Sequence, residues 1–326
     1  MKRVAVLMGG PSSEHDVSVL SGLNVIRALA GLPQYQAVPI YITNNGAWLV
    51  GDERVWMNPG DALRAVDVAF NALHGEYGED GKVQHILGHH QIPYTGSEAL
   101  ASSIAMNKVL AQKILESEGV RMPRSLVLGA HNLDTRTVLA FAPAPWIVKP
   151  VSRGSSVGVS KVRSHAELPA AFQKALQYDS KLIVQEYISG REITCGVIEG
   201  HGGEDVRALP PVEIIPPEGA DFFDYQVKYN GQTQELCPAD FHGAMLKLIQ
   251  DTAKKVHRIL GFRHYSRTDM ILKPSDQTRR APELYVLEAN TLPGLTGESL
   301  LPKSARAIGI EFPDLVSHLI ERAHMV

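Results

Sequence analysis

Acidic, amide and guanidinium side chains alternate along residues 266–299, where two candidate strands are joined by a polar turn and followed by a Pro/Gly loop. Side chains two positions apart on a strand share a face, so Arg267 and Asp269 are predicted to point the same way. Simple alternation divides the second strand into two faces, with Val286, Glu288 and Asn290 on one and Tyr285 and Leu287 on the other.

Pairing of these two strands as a hairpin would bring one guanidinium, two carboxylates and one amide together. Oxygen ligands of this kind suit Mg²⁺, which proteins usually hold with one or two carboxylates plus substrate phosphates. A hairpin with a solvated polar face is the alternative interpretation, because short motifs often match by chance.

Other residues could contact an anion. The loop from Gly154 to Gly158 is rich in small residues that would expose a row of backbone N–H groups, although a plain β-turn is the alternative. Lys149 ends an apolar strand just before this loop, and a buried lysine needs a partner such as a phosphate. Lys108 could add a second positive charge, although most lysines on helices are simply exposed.

A candidate nucleotide contact follows in the chain. The strand that ends near Ile188 leaves one predicted domain, and Gly190 marks a hinge or linker. An adenine could bond to the main chain here, and a ribose could bond to a carboxylate such as Glu192. Taken alone, Glu192 would be assigned to the surface.

The elements that must position these groups begin with an N-terminal strand, a glycine turn and a helix, as in a Rossmann-like domain. The turn GGPSSEH lacks the GxGxxG spacing, so dinucleotide binding is not favoured. Further strands are predicted at 35–43, 66–73 and 91–94. The acidic, glycine-rich loop 74–81 follows the second of these, at the edge where open α/β sheets bind ligands.

Two more domains are predicted after this one. The middle one would open with a single helix that starts near Leu100 and is ended by Gly119. The last contains the hairpin, a helix near 245–260 and two closing helices. Residues 216–239 lack periodicity but contain several aromatics, which favours an ordered flap over a site.

Composition limits the possible functions. The 326 residues are 44% hydrophobic and 21% charged, with a formal net charge of −3, so no broad basic field for nucleic acid is expected. Two cysteines are typical of a reduced, cytoplasmic protein. No stretch reaches the ~18 apolar residues of a membrane span. The apolar run after Lys2 and Arg3 is too short for a signal peptide.

Motifs along nearly the whole length resemble those of the D-alanine–D-alanine ligases of the ATP-grasp superfamily. In chain order they are GGPSSEHDVS, HGEYGEDG, YTGSEALASSIAMNK, IVKP, GSSVGVSKV, VQEYISGRE, FFDYQVKY, SRTDM and LEANTLPGLTGESLLP. The resemblance implies an α/β and α+β fold: a Rossmann-like (preATP-grasp) domain at 1–102 and a two-subdomain ATP-grasp fold at 103–188 and 189–326, with the flap at 216–239.

The resemblance also implies a nucleotide site. ATP would lie between the two ATP-grasp subdomains, with its phosphates and nucleoside held by Lys108, Lys149, Gly154, Ser156, Gln185, Glu186, Ile188 and Glu192. Two Mg²⁺ ions, for which Mn²⁺ could substitute, would be bound by Asp269, Glu288 and Asn290. Many family members have an acidic residue in place of Gln185 and an Asp in place of Asn107, but ATP use is expected to persist.

The family pattern implies roles in substrate binding too. Glu14 would take the ammonium of the first D-alanine with His74 nearby, and Ser155 and Tyr229 would join Glu14 in closing the flap. The carboxylate of the second D-alanine would be bound by Lys228, Ser299 and the Leu300 N–H. The oxyanion would be stabilised by Arg267 and the Gly294 N–H.

The implied function is ATP-dependent joining of two D-alanines through a D-alanyl phosphate, for peptidoglycan precursors, by a cytoplasmic homodimer. Tyr229 agrees with the family members that use D-alanine. One alternative is another ATP-grasp ligase with a different amino or hydroxy acid as second substrate. A nucleotide-binding regulatory module without turnover is an alternative from another class.

Overall fold

A computed structural model describes residues 1–154, 157–217, 233–275 and 281–324, and these carry three β-sheets. Four predicted site residues, Ser155, Ser156, Lys228 and Tyr229, lie outside the described residues, as do residues 218–232 of the predicted flap. Among the helices described, none is long and apolar enough to cross a bilayer.

The first sheet has the order β4-β3-β2-β1-β5, and β1 runs parallel to both of its neighbours. Its core strand β1 is completely buried from Val4 to Leu7, as expected for a strand with helices on both sides. The elements are β1 (Lys2–Gly9), α1 (His15–Ala30), β2 (Tyr35–Ile42), β3 (Trp48–Val50), β4 (Val55–Met57), α2 (Pro59–Leu63), β5 (Val68–Asn71) and α3 (Lys82–His89). The predicted strand 91–94 is wrong, because only Tyr94 pairs, through one bridge to Ala69.

Two helices replace the single helix predicted before Gly119. They are α4 (Ala99–Met106) and α5 (Lys108–Ser117), and Asn107 between them is extended, with φ −85° and ψ 91°. The Asn107 side chain accepts a hydrogen bond from the Leu110 N–H at 3.1 Å, so it caps α5. Because α5 begins there, Lys108 lies in its first turn.

The second sheet has the order β6-β9-β7-β8, with every neighbouring pair antiparallel. Helix α7 packs against it through four buried apolar side chains, Leu168, Ala171, Phe172 and Ala175. The elements are β6 (Ser125–Gly129), α6 (Thr135–Phe141), β7 (Trp146–Pro150), β8 (Ser160–Val162), a 3₁₀ turn (His165–Glu167), α7 (Leu168–Leu176) and β9 (Lys181–Glu186).

The third sheet has the order β13-β12-β10-β14-β15, with β11 also paired to β10. Helix α8 covers one face through Ile249, Ala253 and Val256. The elements are β10 (Arg191–Glu199), β11 (Val206–Ala208), β12 (Val212–Ile215), β13 (Gln234–Leu236), α8 (Gly243–Ile259), β14 (Tyr265–Lys273), β15 (Glu283–Asn290), α9 (Leu300–Arg306) and α10 (Phe312–Ala323).

The first and third sheets share one apolar core. Buried side chains of β1 and α1 contact those of α9, α10 and the loop after β15, including Leu292 and Leu295. Complete burial of a leucine contributes about 1.5–3 kcal/mol. The loop after β15 is therefore anchored to the N-terminal sheet.

A buried histidine lies at the junction of these two regions. His264 is 1% exposed, has φ +64°, and accepts a hydrogen bond at Nδ1 from the Gly96 N–H at 3.0 Å. Burial, with a smaller contribution from the Arg263 charge, lowers the pKa of His264 to about 3. The imidazole is therefore neutral in the folded protein at neutral pH.

This depressed pKa predicts a pH-dependent stability. Below pH ~6.5 the unfolded chain protonates His264, whereas the folded chain does so only near pH 3. The free energy of unfolding should therefore fall with decreasing pH across this window, by up to ~1.4 kcal/mol per unit from this group. Asparagine tolerates positive φ and does not titrate. In the His264→Asn variant, the free energy of unfolding measured with urea should therefore fall less steeply as the pH decreases. A slope equal to that of the unsubstituted chain would contradict this assignment, and His131→Asn, at an exposed position, controls for the substitution itself.

Candidate active site

The hairpin of β14 and β15 forms as predicted, with one change in register. Asp269 lies opposite Glu288, but Met270 lies opposite Val286, so Leu287 is an extra residue in a β-bulge. Directly opposed side chains share a face, and a bulge shifts the alternation by one residue. The prediction that Val286 shares a face with Glu288 is therefore wrong: Val286 is buried in the core with Met270.

The Asp269 carboxylate is the centre of the polar cluster on this hairpin. Its Oδ1 accepts hydrogen bonds from Arg267 Nε at 2.9 Å and Thr194 Oγ1 at 2.6 Å. Its Oδ2 accepts from Arg267 Nη2 at 2.8 Å and Asn290 Nδ2 at 3.0 Å. The bidentate pairing fixes the plane of the guanidinium. Sequence reasoning missed Thr194, because a threonine inside an apolar strand carries no signal of its own.

Arg267 is surrounded by negative charge. Burial alone would lower its pKa, but the Asp269, Glu288 and Glu79 carboxylates outweigh burial and raise the pKa above its usual range. Its side chain keeps 14% of its surface exposed. The site therefore holds a permanent, oriented positive charge that a ligand can still reach.

Two lysines lie beside Glu288. Lys108 Nζ is 3.0 Å from Glu288 Oε2. Lys149 is buried at the end of β7, and burial lowers its pKa to about 8, with Glu288 opposing the shift and Lys108 adding to it. These three side chains come from α5, β7 and β15, so the structure joins the second and third sheets at this point. Glu288 supplies one negative charge beside these two lysines, and a polyphosphate would add further negative charge there.

The predicted metal ligands fit Mg²⁺ by donor type. Asp269, Glu288 and Asn290 are two carboxylates and an amide on adjacent strands. Asn290 Nδ2 donates to Asp269, so the amide oxygen is the atom that remains for a cation. Within the described ranges, no group of three or more His, Cys, Asp or Glu residues could hold a metal ion. Phosphate oxygens would therefore have to complete the coordination of any Mg²⁺ held here.

The predicted nucleotide segment connects two sheets. Gln185 is 4% exposed and lies between Ser125 and Ile147 in the second sheet. Glu186 accepts hydrogen bonds from the Arg124 N–H and Nε at 2.8 and 2.9 Å. The chain then passes through Ile188, which is buried, to Glu192 on β10, opposite Ile271.

Glu14 meets the loop that follows β7. A Cβ added at Gly154 would lie only 2.6 Å from Glu14 Oε1, and one added at Gly75 would lie 3.2 Å from the same atom. The carboxylate therefore contacts both glycines, and a larger residue at position 154 would have to displace it. Residues 14, 75 and 154, far apart in sequence, are therefore brought together in the fold.

Glu79 was missed, although its loop was singled out. Its carboxylate accepts hydrogen bonds from the N–H groups of Gly75 at 2.9 Å and Leu292 at 3.0 Å, and from Thr291 Oγ1 at 3.3 Å. Burial, reinforced by the Glu14 carboxylate, raises the pKa of Glu79 to about 7 against these hydrogen bonds. The sequence signal that could have identified Glu79 is a second acidic residue in a glycine-rich loop at the end of a strand.

The loop after β15 leads into α9. Ser299 Oγ accepts a hydrogen bond from the Thr296 N–H at 3.0 Å and contacts Thr296 Oγ1 at 2.8 Å. A Cβ added at Gly294 would lie 2.7 Å from Ser299 Oγ, so a larger residue there would have to displace the Ser299 hydroxyl. Leu300 is the first residue of α9, and its N–H has no acceptor within the helix.

Comparison with known proteins shows the family to which the chain belongs. A family model described as "D-ala D-ala ligase C-terminus" matches residues 128–321, and one described as "D-ala D-ala ligase N-terminus" matches residues 3–61 and 54–97. The chain belongs to the D-alanine–D-alanine ligase family.

Individual members of the D-alanine–D-alanine ligase family match over nearly the full length. The D-alanine–D-alanine ligase of Syntrophobacter fumaroxidans is 38% identical over 322 residues, covering 98% of this chain and 97% of the relative. That of Geobacter sulfurreducens is 38% identical over 326 residues, covering 99% and 94%.

Solved structures also match over nearly the full length of the chain. The VanG D-Ala:D-Ser ligase of Enterococcus faecalis superposes with a TM-score of 0.85 at 30% identity, covering 99% of each chain. The Bacillus anthracis D-alanine–D-alanine ligase complexed with ATP gives 0.79 at 33% identity, covering 100% of this chain and 98% of that one. The predicted fold class, a Rossmann-like domain followed by an ATP-grasp fold, is confirmed. The domain boundaries and the roles of individual site residues stay predictions.

Proposed function

We propose that this chain uses ATP to join two D-alanines into D-alanyl-D-alanine for peptidoglycan precursors. The observation that carries the proposal is the bidentate Arg267–Asp269 pair on the same hairpin as Glu288, which lies beside Lys108 and Lys149. Cationic side chains and cation-binding carboxylates in one place suit a phosphoryl transfer followed by an acyl transfer.

The first step activates a carboxylate. An oxygen of the first D-alanine carboxylate bonds to the γ-phosphorus of ATP, the bond from that phosphorus to the leaving oxygen of ADP breaks, and D-alanyl phosphate forms. Lys108 and Lys149 would hold the phosphates in line, because such a transfer depends on positioning and charge neutralisation. Mg²⁺ bound by Asp269, Glu288 and Asn290 would neutralise phosphate charge.

The second step forms the peptide bond. The amine of the second D-alanine attacks the carbonyl carbon of D-alanyl phosphate, and a tetrahedral oxyanion forms. The attacking nitrogen gives up one proton, the bond from the carbon to the phosphate oxygen breaks, and inorganic phosphate leaves as the amide forms. The Arg267 guanidinium, held by Asp269, and the Gly294 N–H would donate to this oxyanion. One such preorganised donor is worth about 10²–10³ in rate.

Substrate recognition would come from both ends of the chain. Glu14 would pair with the ammonium of the first D-alanine, and Ser299 and the Leu300 N–H would receive the carboxylate of the second. We extend the proposal to a cytoplasmic homodimer by analogy with the family.

A different second substrate is the remaining candidate. The VanG ligase is described as a D-Ala:D-Ser ligase, and its structure covers 99% of this chain. The same activated D-alanine could be captured by D-serine or D-lactate, because only the second subsite would differ.

The decisive experiment measures phosphate release and the product formed, with ATP and Mg²⁺, for D-alanine against L-alanine. Turnover that depends on the D isomer and yields D-alanyl-D-alanine supports the proposal. Nucleotide binding without phosphate release or ADP formation with either isomer would favour a regulatory module, and equal release with both isomers would contradict the proposal. A parallel assay with D-alanine plus D-serine or D-lactate identifies the second substrate from the mixed product.

A further inference from the structure

The loop that carries Gly294 is held on both sides by side chains from the first 100 residues. Leu292, two positions before Gly294, donates its N–H to Glu79 Oε1 at 3.0 Å. Its carbonyl oxygen lies 3.1 Å from His74 Nδ1. Both backbone polar groups of this leucine therefore bind side chains of the loop after β5.

Leu295, the residue after Gly294, is bound in the same manner by helix α1. Its N–H donates to Ser21 Oγ at 3.3 Å, and its carbonyl accepts from Asn24 Nδ2 at 2.8 Å. Ser21 and Asn24 are three positions apart, so they face the same side of the helix. Pro293 and Gly294 thus lie between two residues whose backbone polar groups are all bound from the N-terminal region.

A hydrogen bond within the N-terminal region connects the two halves of this arrangement. His74 Nε2 lies 2.8 Å from Ser21 Oγ. A carbonyl can only accept, so His74 donates to Leu292 from Nδ1, and in the neutral imidazole Nε2 accepts from the Ser21 hydroxyl. The Ser21 oxygen in turn accepts from Leu295. These four side chains, Ser21, Asn24, His74 and Glu79, are called the α1–β5 cradle below.

The two leucines that the cradle binds are buried, which further restrains this loop. The side chains of Leu292 and Leu295 are 2% and 1% exposed and belong to the core shared with β1 and α10. A buried backbone group that loses its partner destabilises the fold, because its lost hydration is no longer offset. The backbone on either side of Gly294 is therefore restrained both by apolar burial and by four hydrogen bonds.

We propose that the α1–β5 cradle is a set of positioning residues that aims the Gly294 N–H at the oxyanion of the second step. This inference rests on the proposed ligase function and adds Ser21, Asn24 and Glu79 to its machinery. It also gives His74 a task beyond substrate contact. A donor displaced by about 1 Å loses much of its effect on rate, so the cradle acts on the chemical step through Gly294.

Asn24 is the sharpest probe, because it is only half-buried and lies outside the loops that carry the other site residues. Asn24→Ala removes the donor to Leu295, and Asn24→Asp keeps the shape but cannot donate when ionised. Both variants should lower kcat about tenfold. This loss is smaller than the ~10²-fold expected when an oxyanion donor is removed, because the Gly294 N–H is only displaced. The KM for ATP should stay within about twofold, because no nucleotide contact changes.

Arg27→Ala, an exposed change one turn further along α1, is the matched control and should leave kcat unchanged. Amide hydrogen exchange at Leu295, measured without substrates, should be faster in both Asn24 variants than in the control. A kcat in Asn24→Ala equal to that of Arg27→Ala, or a rise in the KM for ATP that accounts for all of the lost activity, would overturn the inference. Failure of the unsubstituted chain to turn over D-alanine would instead overturn the proposed function.

Discussion

Arg267→Ala is expected to lower kcat for dipeptide formation at least ~100-fold, the value of one preorganised oxyanion donor. The guanidinium is positioned by two hydrogen bonds to Asp269 at 2.9 and 2.8 Å, so no other side chain can replace it without rearrangement. Arg267→Lys keeps the charge but loses the planar fork, and it should recover only part of the rate. Phosphate release and dipeptide formation, measured at saturating D-alanine and ATP, report the effect.

A matched control separates this effect from a general loss of stability. Arg121 also pairs with a carboxylate of the same hairpin, at 2.6 Å from Glu283, but its side chain is 52% exposed and lies away from the Asp269 cluster. Arg121→Ala should leave kcat within about twofold, since exposed ion pairs contribute little. A few-fold change in Arg267→Ala, with normal thermal unfolding, would contradict the oxyanion assignment.

Glu288→Gln is expected to reduce turnover about 10³-fold or more, equivalent to about 4 kcal/mol in the barrier. The amide cannot replace the charge that Glu288 offers to a cation. The substitution also removes a carboxylate that raises the pKa of Lys149 and that pairs with Lys108 at 3.0 Å. The nucleotide phosphates would then meet a weaker cation site and a less protonated Lys149, and both changes slow phosphoryl transfer.

The measurement is kcat as a function of Mg²⁺ concentration, together with nucleotide binding at each concentration. The variant should require more Mg²⁺ for half-maximal activity than the unsubstituted chain. Glu283→Gln, on the same strand but paired with Arg121, is the control and should behave like the unsubstituted chain. Near-normal activity of Glu288→Gln at low Mg²⁺ would remove this residue from the cation site.

Most of the helices and strands predicted from local hydrophobic spacing are present in the structure. The apolar run of β1, the glycine turn before α1 and the helical spacing of α8 each follow from the properties of neighbouring residues. The alternation of Arg267 with Asp269 was sufficient to place both on one face, because strand periodicity is a local property. The break at Asn107 was also locally encoded, through its capping side chain, but the continuous apolar spacing on either side obscured it.

The site itself depends on contacts that no local pattern contains. The bulge at Leu287, which moves Val286 into the core and leaves Glu288 beside Asp269, depends on how two strands pair across a turn. The Glu79 contact to Leu292 joins residues 213 positions apart, and the Asn24 contact to Leu295 joins residues 271 positions apart.

By itself, then, the sequence determined which residue types were present, that Arg267 and Asp269 share one face of a strand, and which family the chain resembled. Only the tertiary structure decided which of them meet. Packing of the N-terminal sheet against the last helices aligns loops that are distant in the chain, and hydrogen bonds a few ångströms long can form only after that packing has set their positions.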